Sequence, residues 1–254
     1  MLDDDELRRL AEEDFFVGYF PMTGGQRRFL WGAVAVFLLA VFAAGASAAW
    51  FQRNPGLGLE RYRTGETLEG VLVDRPYPML RVLDGERVRH VLLVTGSKRV
   101  WTPPASAFGT GVALRGNLLE RDGSRMLEVF GREPVTLESL ERLRAVAPEG
   151  ADDVTLVGEI VDSKCYFGRM RPGGGRTHRA CAQLCIAGGI PPVLVTRDAE
   201  GREWHYLLAS EEGGSVARAV LPYVSEPVRV RGSLSRIGDD LRIVRIDPSE
   251  IERL

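Results

Sequence analysis

The sequence predicts a mainly β protein in which one N-terminal transmembrane helix precedes two tandem small β-barrels. Three observations favour this fold class: a long uncharged apolar run, an internal repeat, and many short segments that alternate between apolar and polar residues with the period of half-buried strands. The chain has 254 residues, a formal net charge of −2 and 44% hydrophobic residues, which is typical of a globular protein with room for about two small domains. Nucleic-acid binding needs a basic footprint, so we expect no nucleic-acid partner.

The apolar run covers residues 29–51 and carries no charged residue. About twenty apolar residues in a helix cross the hydrocarbon core of a bilayer, so the run predicts a single-pass span. Arg27 and Arg28 abut its N-terminal end, and basic residues favour the cytoplasmic side. We therefore expect an inner (cytoplasmic) membrane protein with residues 1–28 as a cytoplasmic arm and residues 54–254 on the extracytoplasmic, periplasmic side.

Two features of this anchor leave its export and processing open. The segment RRFL at 27–30 is similar to the core of a twin-arginine export signal, and two ordinary flanking arginines explain it equally well. Ala-Ser-Ala at 46–48 fits a signal-peptidase site, but 28 residues before the apolar run are long for a secretory signal, which favours an uncleaved anchor.

The cytoplasmic arm predicts a short helix that starts at Asp3 to Asp5, because carboxylates suit a helix N-terminus, and that carries Leu7 and Leu10 on one face. The next segment has no domain of its own to bury its aromatic side chains, so we expect the membrane interface or a partner subunit to cover them. These side chains are Phe15, Phe16, Tyr19 and Phe20.

Three matched segments in the same order indicate an internal duplication. TLEGVLVD from Thr67 matches TLVGEIVD from Thr155, HVLL from His90 matches HYLL from His205, and the stretch that begins VALRG at 112 matches the one that begins VRVRG at 228. The repeat predicts a first barrel over 60–135 and a second over 153–254, joined by a helix and linker over 136–152 whose leucines have helical spacing.

Each copy has the size and the strand order expected of an OB-like barrel. Asp122-Gly123 and Gly238-Asp239 lie between alternating runs, where hairpin turns are expected. His90 and His205 are equivalent positions inside strands, so we interpret them as barrel residues. His178 is the one histidine without a counterpart in the other copy.

The second copy is 27 residues longer from Asp162 to His205 than the first is from Asp74 to His90, and the Cys/His insertion in this stretch, 163–192, contains every cysteine. His178, Cys181 and Cys185 have the spacing of one helix face, and Cys165 follows a strand end. Three thiols and one imidazole suit a zinc or iron ion or an iron–sulfur cluster. Cys165, His178, Cys181 and Cys185 are therefore the candidate metal ligands.

The insertion is strongly basic, with no acidic residue between Asp162 and Asp198. A positive potential favours thiolates and attracts an anion or the acidic face of a partner, while a solvated loop explains the same charges equally well. The basic residues are Lys164, Arg169, Arg171, Arg176 and Arg179.

Two other interpretations of the cysteines remain open. In an oxidising compartment Cys165 pairs readily with Cys181 or Cys185, which leaves one free thiol and a purely structural role. Alternatively, the thiols carry out redox chemistry or pass a metal on, as in a metal chaperone.

The motif VDSKCY at 161–166, followed by HRACAQLCI at 178–186 and GGIPP at 188–192, resembles a group of exported or membrane-anchored bacterial OB-like proteins. The resemblance covers roughly residues 155–210 and implies a cell-envelope protein with an OB-like domain and a metal or redox role. It implies no particular reaction.

These observations favour a membrane-anchored accessory subunit of a respiratory or other redox membrane complex, with a metal ion or iron–sulfur centre in its distal barrel. We expect it to contact other subunits through residues 1–28 and the barrels. The alternative is a structural or assembly scaffold. No local cluster predicts a hydrolase, so a binding or electron-transfer role is favoured over an enzymatic one.

Overall fold

The computed structural model describes residues 4–12, 22–51 and 61–254. The chain divides into two compact units, Met1–Pro55 and Gly56–Leu254. The described residues of the first unit form two helices, and the second unit is mainly β, as the sequence predicts.

Helix α1, Asp4–Glu12, begins with three acidic residues in its first turn, as expected from the helix macrodipole. The side chains of Leu7 and Leu10 and the aromatic segment with Phe15, Phe16, Tyr19 and Phe20 lie outside the described residues. Helix α2, Gly24–Phe51, is long and apolar enough to cross a membrane. Such a helix suits a membrane span or a signal anchor.

Helix α2 begins five residues before the predicted start at 29, and its cap explains the difference. The Gln26 backbone N–H donates to Thr23 Oγ1 at 3.3 Å, and Gln26 Oε1 accepts from the Thr23 backbone N–H at 3.1 Å. This reciprocal pair is a capping box, which satisfies two backbone donors at the helix end. The helix therefore starts in the polar segment and includes Arg27 and Arg28.

Five strands form a closed barrel, called here the first barrel. They are β1 Arg61–Val73, β2 Met79–Asp84, β3 Arg87–Val94, β4 Gly111–Arg121 and β5 Ser124–Pro134. Neighbours follow the order β1-β2-β3-β5-β4, and β4 pairs again with β1 to close the ring. The β3–β5 pairing is parallel and the others are antiparallel.

Helix α3, Leu140–Arg144, follows the first barrel and buries Leu143. It lies within the segment predicted as a helix and linker, but the next strand, β6, already begins at Pro148.

Six strands form the other sheet, called here the second sheet. They are β6 Pro148–Asp162, β7 Pro192–Arg197, β8 Glu203–Ser210, β9 Pro227–Ile237, β10 Leu241–Ile246 and β11 Ile251–Arg253. Their order is β10-β8-β7-β6-β9-β11, with an additional antiparallel β9–β10 pairing. The β8–β10 pairing is parallel, as β3–β5 is in the first barrel.

Both predicted hairpin turns lie where the sequence indicates. Asp122-Gly123 joins β4 to β5 with positive φ at both residues, and Gly238 begins the β9–β10 turn with φ 59°. Left-handed backbone of this kind is typical of tight hairpins and favours glycine.

The first barrel and the second sheet share one hydrophobic core in addition to their own interiors. The shared cluster joins Met79, Leu92 and Met126 to Phe167 and Leu207. Tyr77 crosses the same boundary, because its hydroxyl donates to the Leu208 carbonyl at 3.0 Å and accepts from the Val216 N–H at 3.2 Å. The two parts therefore pack as one body with a continuous apolar interior.

Candidate metal centre

The cysteine insertion folds as two short helical segments joined by a glycine-rich loop. Strand β6 ends at Asp162, a single helical turn covers Cys165–Arg169, and helix α4 covers Arg179–Ala187 after a 3₁₀ turn at Arg176–His178. Gly188 ends α4, and Gly189 has φ 92°, a backbone conformation that favours glycine after a helix. The turn and α4 thus deliver thiols from two directions.

The three cysteines lie together. Their Sγ atoms are all within 4.8 Å of one another, and all three are free thiols. Cys165 and Cys185 are buried, whereas Cys181 is partly exposed. A tetrahedral ion with Zn–S bonds of about 2.3 Å holds its sulfurs about 3.8 Å apart, so a small inward movement suffices to close this cluster around one ion.

His178 belongs to a second, overlapping group. Its ligating nitrogen lies within 4.8 Å of Cys165 Sγ and an Asp162 carboxylate oxygen, in a set that does not include Cys181 or Cys185. Nε2 of His178 donates to Asp162 Oδ2 at 3.1 Å, and Asp162 Oδ1 accepts from the Cys165 N–H at 2.8 Å. The structure therefore brings all four predicted ligands into one neighbourhood, with Cys165 at the junction of the two groups.

Asp162 is an additional site residue that the sequence analysis treated only as the end of a strand. Its side chain is fully buried and fixes both the His178 ring and the backbone of Cys165. A carboxylate behind a histidine is a common support for metal ligands, because it sets the tautomer and the ring orientation.

Lys98 is a second site residue that sequence reasoning missed, and it comes from the first barrel. Its Nζ donates to Cys181 Sγ at 2.8 Å across 83 residues of sequence. The hydrogen bond to Cys181 raises the pKa of Lys98. A protonated lysine at this distance stabilises a thiolate.

The loop that carries Lys98 packs tightly on the end of α4. The Val100 N–H donates to the Gly188 carbonyl at 3.2 Å. A Cβ at Gly188 would lie 1.9 Å from the Lys98 carbonyl oxygen, and one at Gly189 would lie 2.8 Å from Val100 Cγ1. The two glycines therefore permit the close approach that brings Lys98 to the thiols.

Lys164 differs from the sequence-based expectation of a basic loop that faces an anion or a partner. It is 4% exposed, and its Nζ donates to the carbonyls of Thr95 and Ser97 at 2.8 Å each. It also pairs with Glu128 Oε1 at 3.0 Å. A buried ammonium needs such partners, so this lysine fixes the Lys98 loop instead of facing solvent.

The arginines of the insertion differ in their exposure and in their ion-pair partners. Arg169 is exposed, and it pairs with Glu128 at 3.2 Å and stacks over the Tyr62 ring. Arg179 pairs with Glu226, which directly precedes β9. Arg171 is exposed in the glycine-rich loop, and Arg176 is exposed at the start of the 3₁₀ turn. The predicted basic group thus includes side chains that form ion pairs within the protein.

Two of the thiols differ in acidity. The hydrogen bond between Cys165 and Cys185 raises the pKa of Cys165, with burial and Asp162 acting in the same direction. The same hydrogen bond lowers the pKa of Cys185, and Lys98 contributes to the lowering. Cys185 is therefore the more acidic of these two thiols.

Thiolates, an imidazole and a nearby carboxylate form a donor set for a soft or borderline ion. All three Sγ atoms are mutually close, which suits one ion better than a cluster that holds its thiolates on separate irons. Comparison with known proteins adds no relative, because no family model, curated protein or solved structure matches this chain.

Proposed function

We propose that this chain is a membrane-anchored accessory subunit that holds one zinc or iron ion through Cys165, Cys181 and Cys185, with His178 as the fourth ligand. The observation that carries the proposal is the mutual approach of three free thiols within 4.8 Å. When bound, the ion supplies charge and a fixed tetrahedral centre, or electron transfer if it is iron.

The residues around the thiols have defined roles in this proposal. Asp162 orients His178 and the Cys165 backbone. Lys98 offsets the negative charge that three thiolates bring to the site, since its ammonium lies 2.8 Å from Cys181 Sγ. Metal binding requires deprotonated thiols, and the Lys98 ammonium beside Cys181 lowers the cost of forming the Cys181 thiolate.

We further propose that the first barrel and the second sheet are duplicated OB-like domains. The pairing of β6 with β7, β7 with β8, β8 with β10, β10 with β9 and β9 with β6 repeats the cyclic order of the first barrel. The same positions are parallel in both, which supports one ancestral unit. The resemblance to exported bacterial OB-like proteins remains part of this proposal.

The location and the partner complete the proposal. An apolar helix without buried residues and the arginine pair before the apolar run support an anchor with a cytoplasmic N-terminus. The metal domain then lies outside the cytoplasm, where it serves a redox complex of the same membrane.

Metal content of the full chain, purified in detergent without oxygen, tests the metal proposal. We expect about one zinc or iron per chain, and cobalt substitution should give the thiolate-to-metal bands of a tetrahedral site. Alanine at Cys165, Cys181 or Cys185 should abolish binding, and His178→Gln should weaken it. Leu184→Ala is the matched control, because Leu184 lies on the same helix with a 62% exposed side chain.

A metal-free wild type overturns the metal proposal, and non-reducing mass spectrometry then separates its alternatives. A stable Cys165 disulfide with unchanged partner co-purification in the cysteine-to-alanine variants indicates a scaffold. A disulfide that exchanges rapidly with added thiols indicates thiol redox chemistry.

A further inference from the structure

The four ligands named in the proposed function differ in how far another molecule can reach them. Cys165, His178 and Cys185 are at most 4% exposed. Cys165 and Cys185 also belong to the hydrophobic core that the first barrel and the second sheet share. Cys181 is partly exposed. Of these four side chains, Cys181 is therefore the one that a second molecule can contact directly.

The partly exposed thiol also has a charged partner from outside the insertion. Lys98 Nζ donates to Cys181 Sγ at 2.8 Å, and Lys98 itself is exposed on its loop. A charge-assisted hydrogen bond of this kind stabilises a thiolate. If Cys181 releases an ion, its negative charge therefore keeps a partner that is already in place.

The segments that flank Cys181 carry exposed basic side chains. Lys98 and Arg99 are exposed on the loop from the first barrel, and Arg176 is exposed in the turn that precedes α4. Within residues 61–254 none of these three side chains pairs with a carboxylate. The insertion itself has no acidic residue between Asp162 and Asp198. This surface therefore attracts an acidic molecule and repels a basic one.

We propose that Cys181 is the exchangeable ligand of this site, through which the ion passes to or from a partner protein with an accessible pair of cysteines beside acidic residues. The inference rests on the proposed function, because it needs an ion at the three thiols. Thiolates are the ligands that compete best for such an ion, and acidic neighbours match the basic side chains around Cys181.

The transfer is a ligand exchange without oxidation or reduction. A thiolate of the partner forms a bond to the ion as the bond from Cys181 Sγ breaks, and Cys181 keeps the electron pair and its charge beside Lys98. The second thiolate of the partner then displaces the buried ligands. Thiolates left on this chain take protons from solvent, and the partner's thiols release theirs to it as they bind.

Zinc transfer from the full chain to short peptides tests the proposal. The chain is purified in detergent without oxygen and loaded with zinc, and each peptide has a Cys-x-x-Cys pair flanked by aspartates or by lysines. Zinc that remains on the chain is counted after rapid desalting. We expect a transfer rate proportional to peptide concentration, and about 10-fold faster transfer at low salt to the aspartate peptide than to the lysine peptide. Added salt should reduce this preference.

Lys98→Gln and Arg236→Gln form a matched pair of variants. Arg236 is exposed on β9 opposite Glu149, at the far end of β6 from Asp162. Lys98→Gln should reduce the preference for the aspartate peptide by about 3–10-fold, whereas Arg236→Gln should leave it unchanged. The ratio of the two rates on one variant cancels any difference in how tightly that variant holds zinc. A merely structural role of Lys98 would therefore leave the ratio unmoved.

Alkylation of the zinc-loaded wild type identifies the exchangeable ligand without a substitution. Iodoacetamide should modify Cys181 before Cys165 and Cys185, and zinc should be lost in step with that modification. Earlier modification of Cys165 or Cys185, or transfer at a rate independent of peptide concentration, overturns the exchange proposal and leaves the metal site standing. Equal rates for the two peptides overturn the acidic partner. A wild-type chain that takes up no metal overturns the proposed function and this inference with it.

Discussion

The first barrel and the second sheet have the same cyclic strand pairing but differ between their first two strands. Residues 74–78 connect β1 to β2, whereas 163–191 connect β6 to β7 and hold all three thiols. The first barrel contributes the loop that carries Lys98 to the thiols. The second sheet thus carries the thiols in its longer connection, and a loop of the first barrel covers them.

The largest loss of stability is expected from a substitution of Arg121, at the end of β4. The equivalent residue in the second sheet is Ile237, so this side chain distinguishes the two parts. Arg121 and Glu203 form an ion pair at 3.0 Å with side chains 3% and 0% exposed. Arg121→Leu removes one partner of a buried charge and should lower the free energy of unfolding by about 3–5 kcal/mol. Urea unfolding followed by tryptophan fluorescence measures it.

Arg202→Leu is the control for this prediction. Its pair with Asp198 has a 62% exposed arginine, so its loss should cost less than about 1 kcal/mol. Equal midpoints for the two variants would mean that Arg197 alone compensates Glu203.

The stability that the buried Arg121–Glu203 pair contributes should also depend on pH, through the ionisation of Glu203. Burial alone would raise the pKa of Glu203, but polar hydrogens of His205, Arg197 and Arg121 outweigh it and hold the pKa well below its usual range. The folded protein then binds fewer protons than the unfolded chain, so this stabilisation is complete above about pH 5 and is lost as the pH falls below about 4. Glu203→Gln should cost about 2–3 kcal/mol at pH 7.

Urea midpoints from pH 7 to pH 3 test this dependence. The difference between wild type and Glu203→Gln should stay constant from pH 7 to about pH 5 and shrink below about pH 4. A constant difference would show that the carboxylate charge is not the stabilising feature.

A methyl group at Gly188 tests how closely the loop with Lys98 must pack over the thiols. Gly188→Ala places Cβ against the Lys98 carbonyl, so the loop must move, at a cost of about 1–3 kcal/mol. Gly96→Ala, in the same loop with no atom within 4 Å of the added Cβ, should stay within about 0.5 kcal/mol of wild type. Faster thiol alkylation of the Gly188 variant alone would show that the loop with Lys98 has moved away from the thiols. Equal alkylation rates for the two variants would contradict this role of the loop.

The smallest effect is expected where the second sheet extends beyond the shared pairing. Arg229 and Glu252 join β9 to β11 with side chains 37% and 60% exposed. Arg229→Ala should change the free energy of unfolding by less than about 1 kcal/mol. A larger loss in thermal melting would show that β11 is integral to the sheet.

Local patterns predicted much of this molecule. The apolar run, both hairpin turns and the strand positions of His90 and His205 depend on short-range periodicity or on the repeat, and the structure shows them where they were expected. The grouping of Cys165, Cys181 and Cys185 followed from helical spacing and a strand end. The capping box of Thr23 and Gln26 was visible in the sequence and was overlooked.

Contacts between the first barrel and the second sheet were not predictable in the same way. Lys98 and Cys181 are 83 residues apart in the sequence. Glu128, which pairs with Lys164, lies on β5 of the first barrel. Such pairings depend on how the first barrel packs against the second sheet, and no periodicity encodes that packing. Charge counts alone therefore suggested a solvated basic loop where Lys164 is buried.

The Lys98 contact limits how this chain can be divided. A gene fragment that ends after α3 would encode Lys98 without Cys181, its hydrogen-bond partner. The complementary fragment would encode the three cysteines without the loop that covers them, so their thiols would be accessible to oxidants and to competing metals. Neither half is then a transferable module, and rearrangements that separate them should be poorly tolerated even if each product retains its strands.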